Sequence, residues 1–102
     1  MEVRRFRLLK AYRPSRFAAV SRELDGVIVR LARQLSGHVA TRATVQRAGR
    51  RTRSYRIDYG GDRTEEMAFV LDGRIEYQLL CRRKTTEPDD ACKQLFSSFA
   101  LG

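Results

Sequence analysis

The chain has 102 residues, of which 42% are hydrophobic and 32% are charged, a composition typical of one folded domain. Lysine and arginine outnumber aspartate and glutamate by 21 to 12, which gives a formal net charge of +9. No apolar run approaches the length of a membrane span and no signal-peptide pattern follows Met1. These features exclude an integral membrane protein and a disordered tail, and we predict a single domain over residues 1–102.

The positive charge is unevenly distributed along the chain. Residues 1–56 carry fifteen basic and three acidic side chains, whereas residues 57–102 carry six and nine. Such a field attracts nucleic acid, anionic lipid or acidic protein. Arginine outnumbers lysine by 18 to 3, which a base-composition bias in the gene would also produce without selection for binding.

The first third of the chain predicts a strand followed by a helix. Residues 3–9 mix apolar and arginine side chains in the alternating pattern of a strand. Pro14 interrupts this pattern, and residues 16–35 then place apolar side chains at helical spacing. Gly37 suits the left-handed position after the end of that helix.

From His38 the hydrophobic period changes to two, which predicts a meander of antiparallel strands. The strands cover residues 38–45, 52–59, 66–71 and 74–81, with turns at 48–50, 60–62 and 72–73. Asp72-Gly73 indicates a two-residue hairpin turn of type I′. We assign the apolar residues of the last three strands to one face of the sheet: Tyr55, Ile57, Tyr59, Met67, Phe69, Leu71, Ile75, Tyr77, Leu79 and Cys81.

A second, short helix is predicted after Pro88. Asp89 and Asp90 suit its start, because anions favour the positive end of the helix dipole. Cys92 and Phe96 lie on its apolar side, with Leu95 and Phe99. The predicted fold is α+β, with element order β-α-β-β-β-β-α. The antiparallel sheet has both helices packed on one face and the other face uncovered.

The two cysteines, Cys81 and Cys92, are predicted to face the same layer between the sheet and the second helix. We therefore expect a disulfide, and the alternative is two free, buried thiols. A disulfide implies an exported or cell-envelope protein, whereas free thiols fit the cytoplasm.

No pattern of catalytic or metal-binding residues is present. His38 is the only histidine, and the carboxylate pairs at 65–66 and 89–90 are sequence neighbours whose positions suit a strand surface and a helix start. A structural zinc site needs four ligands, and two cysteines with one histidine are too few. We predict that the protein is not an enzyme and needs neither metal nor cofactor.

The uncovered sheet face is the predicted binding site for a protein or a small apolar ligand. Its expected contact residues are Arg42, Arg56, Val70, Gln78 and Leu80. The alternative for this face is an ordinary solvated sheet surface.

A second hypothesis is a small basic protein that binds nucleic acid or an anionic surface. Three arginines would come from the first helix and four from the first hairpin: Arg22, Arg30, Arg33, Arg47, Arg50, Arg51 and Arg53.

Four segments stand out between about residues 16 and 101: 45–50 (VQRAGR), 55–59 (YRIDY), 77–81 (YQLLC) and 91–99 (ACKQLFSSF). In these segments the chain resembles PsbP/Mog-like domains, and most closely the bacterial LpqN-type envelope lipoproteins. The resemblance implies a non-enzymatic domain that binds proteins or small apolar or lipidic ligands, and it brings no catalytic residues.

Overall fold

A computed structural model of the chain describes residues 2–47 and 49–99, so Ala48 of the first predicted turn and the two ends of the predicted domain lie outside the described residues. The strands are β1 (Glu2–Arg7), β2 (His38–Arg47), β3 (Arg50–Tyr59), β4 (Arg63–Asp72) and β5 (Ile75–Lys84). The helices are α1 (Phe17–Gln34), preceded by a short 3-10 helix at Pro14–Arg16, and α2 (Asp90–Ser98). The predicted α+β class and the order β-α-β-β-β-β-α are confirmed.

The strands form one antiparallel sheet in the order β1-β5-β4-β3-β2. Strands β2 to β5 are the predicted meander, and β1 pairs with β5. Because α1 carries the chain from β1 to β2, it crosses from one edge of the sheet to the other. The described sheet therefore has β1 and β2 as its edge strands.

The two helices cover opposite faces of the sheet, so the predicted placement of both on one face is wrong. On the α1 face, Ile28 and Ala32 pack against side chains from β3, β4 and β5, namely Tyr55, Ile57, Met67, Phe69 and Leu80. On the α2 face, Cys92 and Phe96 pack against side chains from β4 and β5, namely Ala68, Val70, Leu79 and Cys81.

The turn between β4 and β5 explains why apolar side chains lie on both faces and each helix covers a different one. Gly73 and Arg74 form the turn, so Phe69 pairs with Gln78 and Ala68 with Leu79. A two-residue turn always pairs an odd-numbered residue with an even-numbered one, and directly paired residues share a face. Phe69 and Leu79 therefore lie on opposite faces, and β5 is apolar on both.

The geometry of that turn also differs from the predicted type. Gly73 has a φ of +58°, whereas Arg74 is not among the residues with positive φ. A single positive φ at the first central position is the pattern of type II′, since type I′ needs positive φ at both. The hairpin prediction is confirmed, but its turn begins one residue later than expected.

The end of α1 is a Schellman motif in which Ser36, and not Gly37, is left-handed. Ser36 has a φ of +56°, and the Gly37 N–H donates to the Ala32 carbonyl at 2.8 Å. Gly37 is needed for a different reason, because a Cβ there would lie 2.4 Å from the Asp58 carbonyl oxygen. The helix end is therefore pressed directly against β3.

A disulfide joins Cys81 of β5 to Cys92 of α2, as predicted. Its Cα atoms are 5.5 Å apart and the two residues are 11 apart in sequence. The bond lies among the buried side chains of the α2 face, so it attaches the short helix to the sheet.

Replacing Ser36 and Gly37 separately should change stability in opposite directions. We expect Ser36→Gly to raise the free energy of unfolding by about 0.5–1 kcal/mol, because glycine adopts positive φ without steric cost. Gly37→Ala should lower it by about 2 kcal/mol, because the added methyl group overlaps β3. Urea unfolding measures both, and equal effects of the two substitutions would contradict this account of the helix end.

Removing the disulfide should destabilise the domain. A bond that closes a loop of this length restricts the unfolded chain, so Cys81→Ala/Cys92→Ala should lower the free energy of unfolding by about 3 kcal/mol. Urea unfolding of the variant and of reduced and oxidised wild type makes the comparison. If reduced wild type is as stable as oxidised wild type, α2 is held by packing alone.

Candidate functional site

The uncovered sheet face predicted as a binding site does not form. Val70 lies under α2 with 0% of its surface exposed, and Leu80 lies on the α1 face with 7% exposed. Strand register places Arg42 and Gln78 on the α1 face and Arg56 on the α2 face. The five predicted contact residues are therefore divided between two surfaces, and two of them are buried.

The register of the β2–β3 hairpin accounts for the separation of Arg42 from Arg56. Arg47 pairs with Arg50, so Arg42 pairs with Tyr55 and lies on the face opposite Arg56. The predicted three-residue turn at 48–50 would instead pair Arg42 with Arg56. The remaining separation follows from the two-residue turn between β4 and β5.

Each helix covers only part of its face, which leaves an open region beside it. Helix α1 packs against β2 and β3, and α2 packs against β5. Beside α1, a groove of about 300 Å³ remains between the helix, the connection after β1 and the adjoining ends of β4 and β5. We call it the α1 groove, and its lining residues are Leu8, Lys10, Ala11, Tyr12, Arg16, Val20, Glu23, Leu24, Val27, Leu71 and Glu76.

The apolar side of α1 continues into this groove. Val20, Leu24 and Val27 are spaced so that they share one side of the helix. Leu24 packs at the edge of the core, whereas Val27 remains 47% exposed in the groove. The helix therefore has more apolar surface than the sheet beneath it covers.

The connection after β1 forms the opposite wall and is held by backbone hydrogen bonds. The Leu8 N–H donates to the Arg74 carbonyl and the Tyr12 N–H donates to the Gly73 carbonyl, both at 2.6 Å. These bonds attach the wall to the turn between β4 and β5. The groove is thus a preformed feature, as ligand sites usually are.

Apolar side chains near the groove are unusually exposed. Leu9 is 96% exposed and Phe6, on the α1 face of β1, is 43% exposed. Together with Val27 they give this part of the molecule a solvent-exposed apolar surface. Exposed apolar surface of this kind is typical of binding sites.

The charge at the groove is predominantly positive on one wall. No acidic residue occurs from residue 3 to residue 22, and Lys10 and Arg16 from that segment line the groove. Glu23 and Glu76 line it from α1 and β5. Glu76 also accepts a hydrogen bond from Gln78 at 3.0 Å.

A network of three polar residues fixes α1 on the sheet. The Arg53 guanidinium donates to both carboxylate oxygens of Asp25 at 3.0 Å, and the Tyr55 hydroxyl donates to the same carboxylate. Arg53 also lies 5.7 Å from the centre of the Tyr55 ring. A bidentate, charge-assisted pair of this kind restricts the orientation of the helix as well as its distance from β3.

This network shifts the pKa values of its acidic members in opposite directions. Desolvation raises the pKa of Asp25, but hydrogen bonds from Arg53 and Tyr55 outweigh it and hold this pKa below its ordinary value. Burial raises the pKa of the Tyr55 hydroxyl, and its bond to the Asp25 carboxylate raises it further. Asp25 is therefore charged and Tyr55 neutral at pH 7.

The four predicted anion-binding arginines of the β2–β3 hairpin each make contacts with other parts of the domain. Arg47 lies 5.2 Å from the centre of the Phe96 ring, where burial lowers its pKa. Arg50 pairs with Asp72 at 2.8 Å. Arg51 donates to the Pro14 carbonyl at 2.9 Å and lies over Phe17, and Arg53 belongs to the network of Asp25.

The other three arginines of that hypothesis remain on the surface. Arg22, Arg30 and Arg33 are exposed on the outer side of α1. None of them lies within ion-pair distance of a carboxylate among residues 2–47 and 49–99. The structure thus brings together only the helical part of the predicted basic surface.

Candidate groups for catalysis are satisfied by structural contacts. Asp58, which pairs with His38 across β2 and β3, accepts hydrogen bonds from Arg56 at 3.0 Å and from Thr64 at 2.8 Å. Among the residues that the structure describes, no group of three potential metal ligands occurs. Within the same residues, no helix combines the length and the hydropathy needed to cross a bilayer.

The α1 groove was not identified from the sequence, although part of its signal was present. Leu8, Leu9, Ala11 and Tyr12 are apolar, but they follow β1 in a segment without clear periodicity. The two hydrogen bonds that fold this segment against the β4–β5 turn depend on long-range pairing. Comparison of the chain with protein families, with characterised proteins and with solved structures found no match.

Neutralising Asp25 should destabilise the fold in a pH-dependent way. We expect Asp25→Asn to lower the free energy of unfolding by about 2 kcal/mol at pH 7, because it weakens the two hydrogen bonds from Arg53 and the one from Tyr55 to the carboxylate. The folded-state pKa of Asp25 is below its unfolded value of about 3.8. The stabilisation is therefore complete above that pH and is lost as the pH falls through the folded-state pKa.

Urea unfolding at pH 7, 5, 4 and 3 measures this difference. Glu23→Gln is the matched control, since Glu23 is an exposed carboxylate on the same helix. The wild type and Asp25→Asn should approach each other in stability only at the lowest pH. A constant difference from pH 7 to pH 3 would contradict the assigned role of the carboxylate.

Proposed function

We propose that this protein is a non-catalytic binding domain whose ligand is a small anionic amphiphile, an acyl chain with an acidic head group. The observation that carries the proposal is the α1 groove, an apolar depression with one wall that lacks acidic residues. The sequence predicts an apolar or lipidic ligand or a protein as partner. A ligand of the same apolar or lipidic class would bind in the groove and not on the sheet face.

The apolar lining provides the main attraction for the chain of such a ligand. Burying hydrocarbon is worth about 0.8 kcal/mol for each methylene group. Leu24, Val27 and Leu71 come from two different elements, so the chain would be enclosed between helix and sheet. Val27 and Leu9 are the exposed members whose transfer from water would add to the gain.

The cationic wall favours an acidic head group over a neutral one. Lys10 and Arg16 line the groove, and Arg13 between them is exposed. Glu23 and Glu76 lie on the other walls, so the head group is expected at the wall formed by residues 8–16. This placement makes the two ends of the groove chemically different.

The disulfide supports the proposal that the protein works in an oxidising compartment, as an exported or cell-envelope protein. The resemblance to PsbP/Mog-like domains is compatible with an apolar or lipidic ligand there, and it stays a prediction. A basic surface on Arg22, Arg30 and Arg33 that binds nucleic acid is the competing function. Because it uses the outer side of α1, the same experiment distinguishes it from the groove.

Decanoate should bind to the groove more tightly than decanol, and Val27→Glu should abolish binding. The substitution places a carboxylate on the exposed apolar wall without disturbing the core, so the acyl chain would have to lie against a charged group. Ala18→Glu is the matched control, because it adds the same charge at an exposed position of the same helix outside the groove. Calorimetric titration and amide chemical-shift changes at residues 8–12 provide the measurement.

Two further variants decide between the functions. Lys10→Glu/Arg16→Glu should lower the affinity for decanoate about tenfold, which removes its preference over decanol, while the affinity for decanol is retained. If none of the proteins binds either probe, the groove is not a ligand site. Binding of duplex DNA at 150 mM salt would favour the basic-surface function instead, provided that two conditions hold. Val27→Glu should leave this binding unchanged, and Arg22→Glu/Arg30→Glu/Arg33→Glu should abolish it.

A further inference from the structure

The edge strand β1 has unpaired backbone groups along its whole length. All six of its residues, Glu2–Arg7, are exposed. The Leu8 N–H bonds to the Arg74 carbonyl, and residues in an antiparallel ladder alternate between bonding to the partner strand and pointing away from it. Val3, Arg5 and Arg7 therefore direct their N–H and carbonyl groups outward, where a further strand would pair.

The side chains of these same residues lie on the α2 face of the sheet. Register pairs Val3 with Leu79 and Arg5 with Tyr77, both on that face. Arg5 and Arg7 line a concave site of about 410 Å³ together with Arg74 and Ile75. Three guanidinium groups thus border one depression beside the outward-directed backbone groups.

This arginine site has no acidic partner within the described part of the chain. Arg5, Arg7 and Arg74 make no ion pair there, in contrast to Arg4 on the opposite face, which pairs with Glu2 at 2.8 Å. Arg74 donates to the Leu9 carbonyl at 3.1 Å, a neutral acceptor. Positive charge at the site is therefore uncompensated.

The same charge disfavours pairing between two copies of β1. An antiparallel pair centred on this strand would bring Arg5 and Arg7 of one copy next to those of the other, and like charges opposite each other destabilise a sheet. Charged edges of this kind protect against self-association. A strand with acidic side chains would not be repelled, because its charge is opposite to that of Arg5 and Arg7.

We propose that β1 accepts an extended acidic segment of another protein as an additional strand of the sheet. The backbone of the segment would pair with Val3, Arg5 and Arg7. Carboxylates at alternate positions would lie on the α2 face, opposite Arg5 and Arg7. This is strand addition, in which main-chain hydrogen bonds supply affinity and side chains at every second position supply specificity.

A peptide fits this edge better than a nucleic acid does. Phosphates could approach the three arginines, but they have no repeating donor and acceptor groups to match the edge of a strand. The exposed Val3, in line with Arg5 and Arg7, also suits a peptide side chain. The site lies on the opposite face from the α1 groove, so the two proposals can fail independently.

The test uses a seven-residue peptide in which glutamate alternates with valine. We expect it to bind the full chain and to slow hydrogen exchange at the amides of Val3, Arg5 and Arg7. A peptide of identical composition with its glutamates consecutive, and one N-methylated at its pairing positions, should each bind about tenfold more weakly.

Charge reversal provides a second measurement. Arg5→Glu/Arg7→Glu should abolish binding of the acidic peptide and create binding of the corresponding lysine-valine peptide. Arg22→Glu/Arg30→Glu is the matched control, since it changes the net charge equally on the outer side of α1. Equal binding of all three acidic peptides, equal loss in the control variant, or no slowing of exchange in β1 would overturn the proposal.

Discussion

The register of the β4–β5 hairpin is the constraint on which the rest of the structure depends. Because its turn has two residues, Phe69 faces one side of the sheet and Leu79 the other. Residues 67–71 of β4 and 79–81 of β5 are consecutive apolar residues, so both strands present apolar side chains on both faces and each face needs its own cover. The described chain has one long and one short helix for this purpose, so each face keeps an open part beside its helix.

Arginine has two different roles in this protein, and position in the sheet decides between them. In the β2–β3 hairpin, guanidinium groups attach other elements: Arg47 contacts α2, Arg51 the segment before α1, and Arg53 the middle of α1. On α1 and β1, arginines point away from the core. Net positive charge alone therefore says little about where an anionic partner binds, because much of it is already paired or stacked inside the fold.

Local sequence patterns were sufficient to predict the helices and strands, but they were insufficient to predict which face of the sheet each side chain occupies. Helical spacing predicted α1 and alternation predicted the meander. The disulfide was predicted because Cys81 and Cys92 were both expected to face the layer between the sheet and α2. A hairpin in which Asp72 pairs with Ile75, or Arg47 with Arg50, pairs odd-numbered with even-numbered residues, so one alternation cannot be continued through it. Candidate residues chosen by a single alternation, such as Val70 and Leu80, were wrong for that reason.

The groove could not have been found from any single segment. Its walls come from β1's continuation, α1 and the end of β4, and the backbone bonds of Leu8 and Tyr12 to the β4–β5 turn bring them together. The same Leu8 bond also sets which residues of β1 face outward. One segment thus orders the groove on one face and the strand edge on the other.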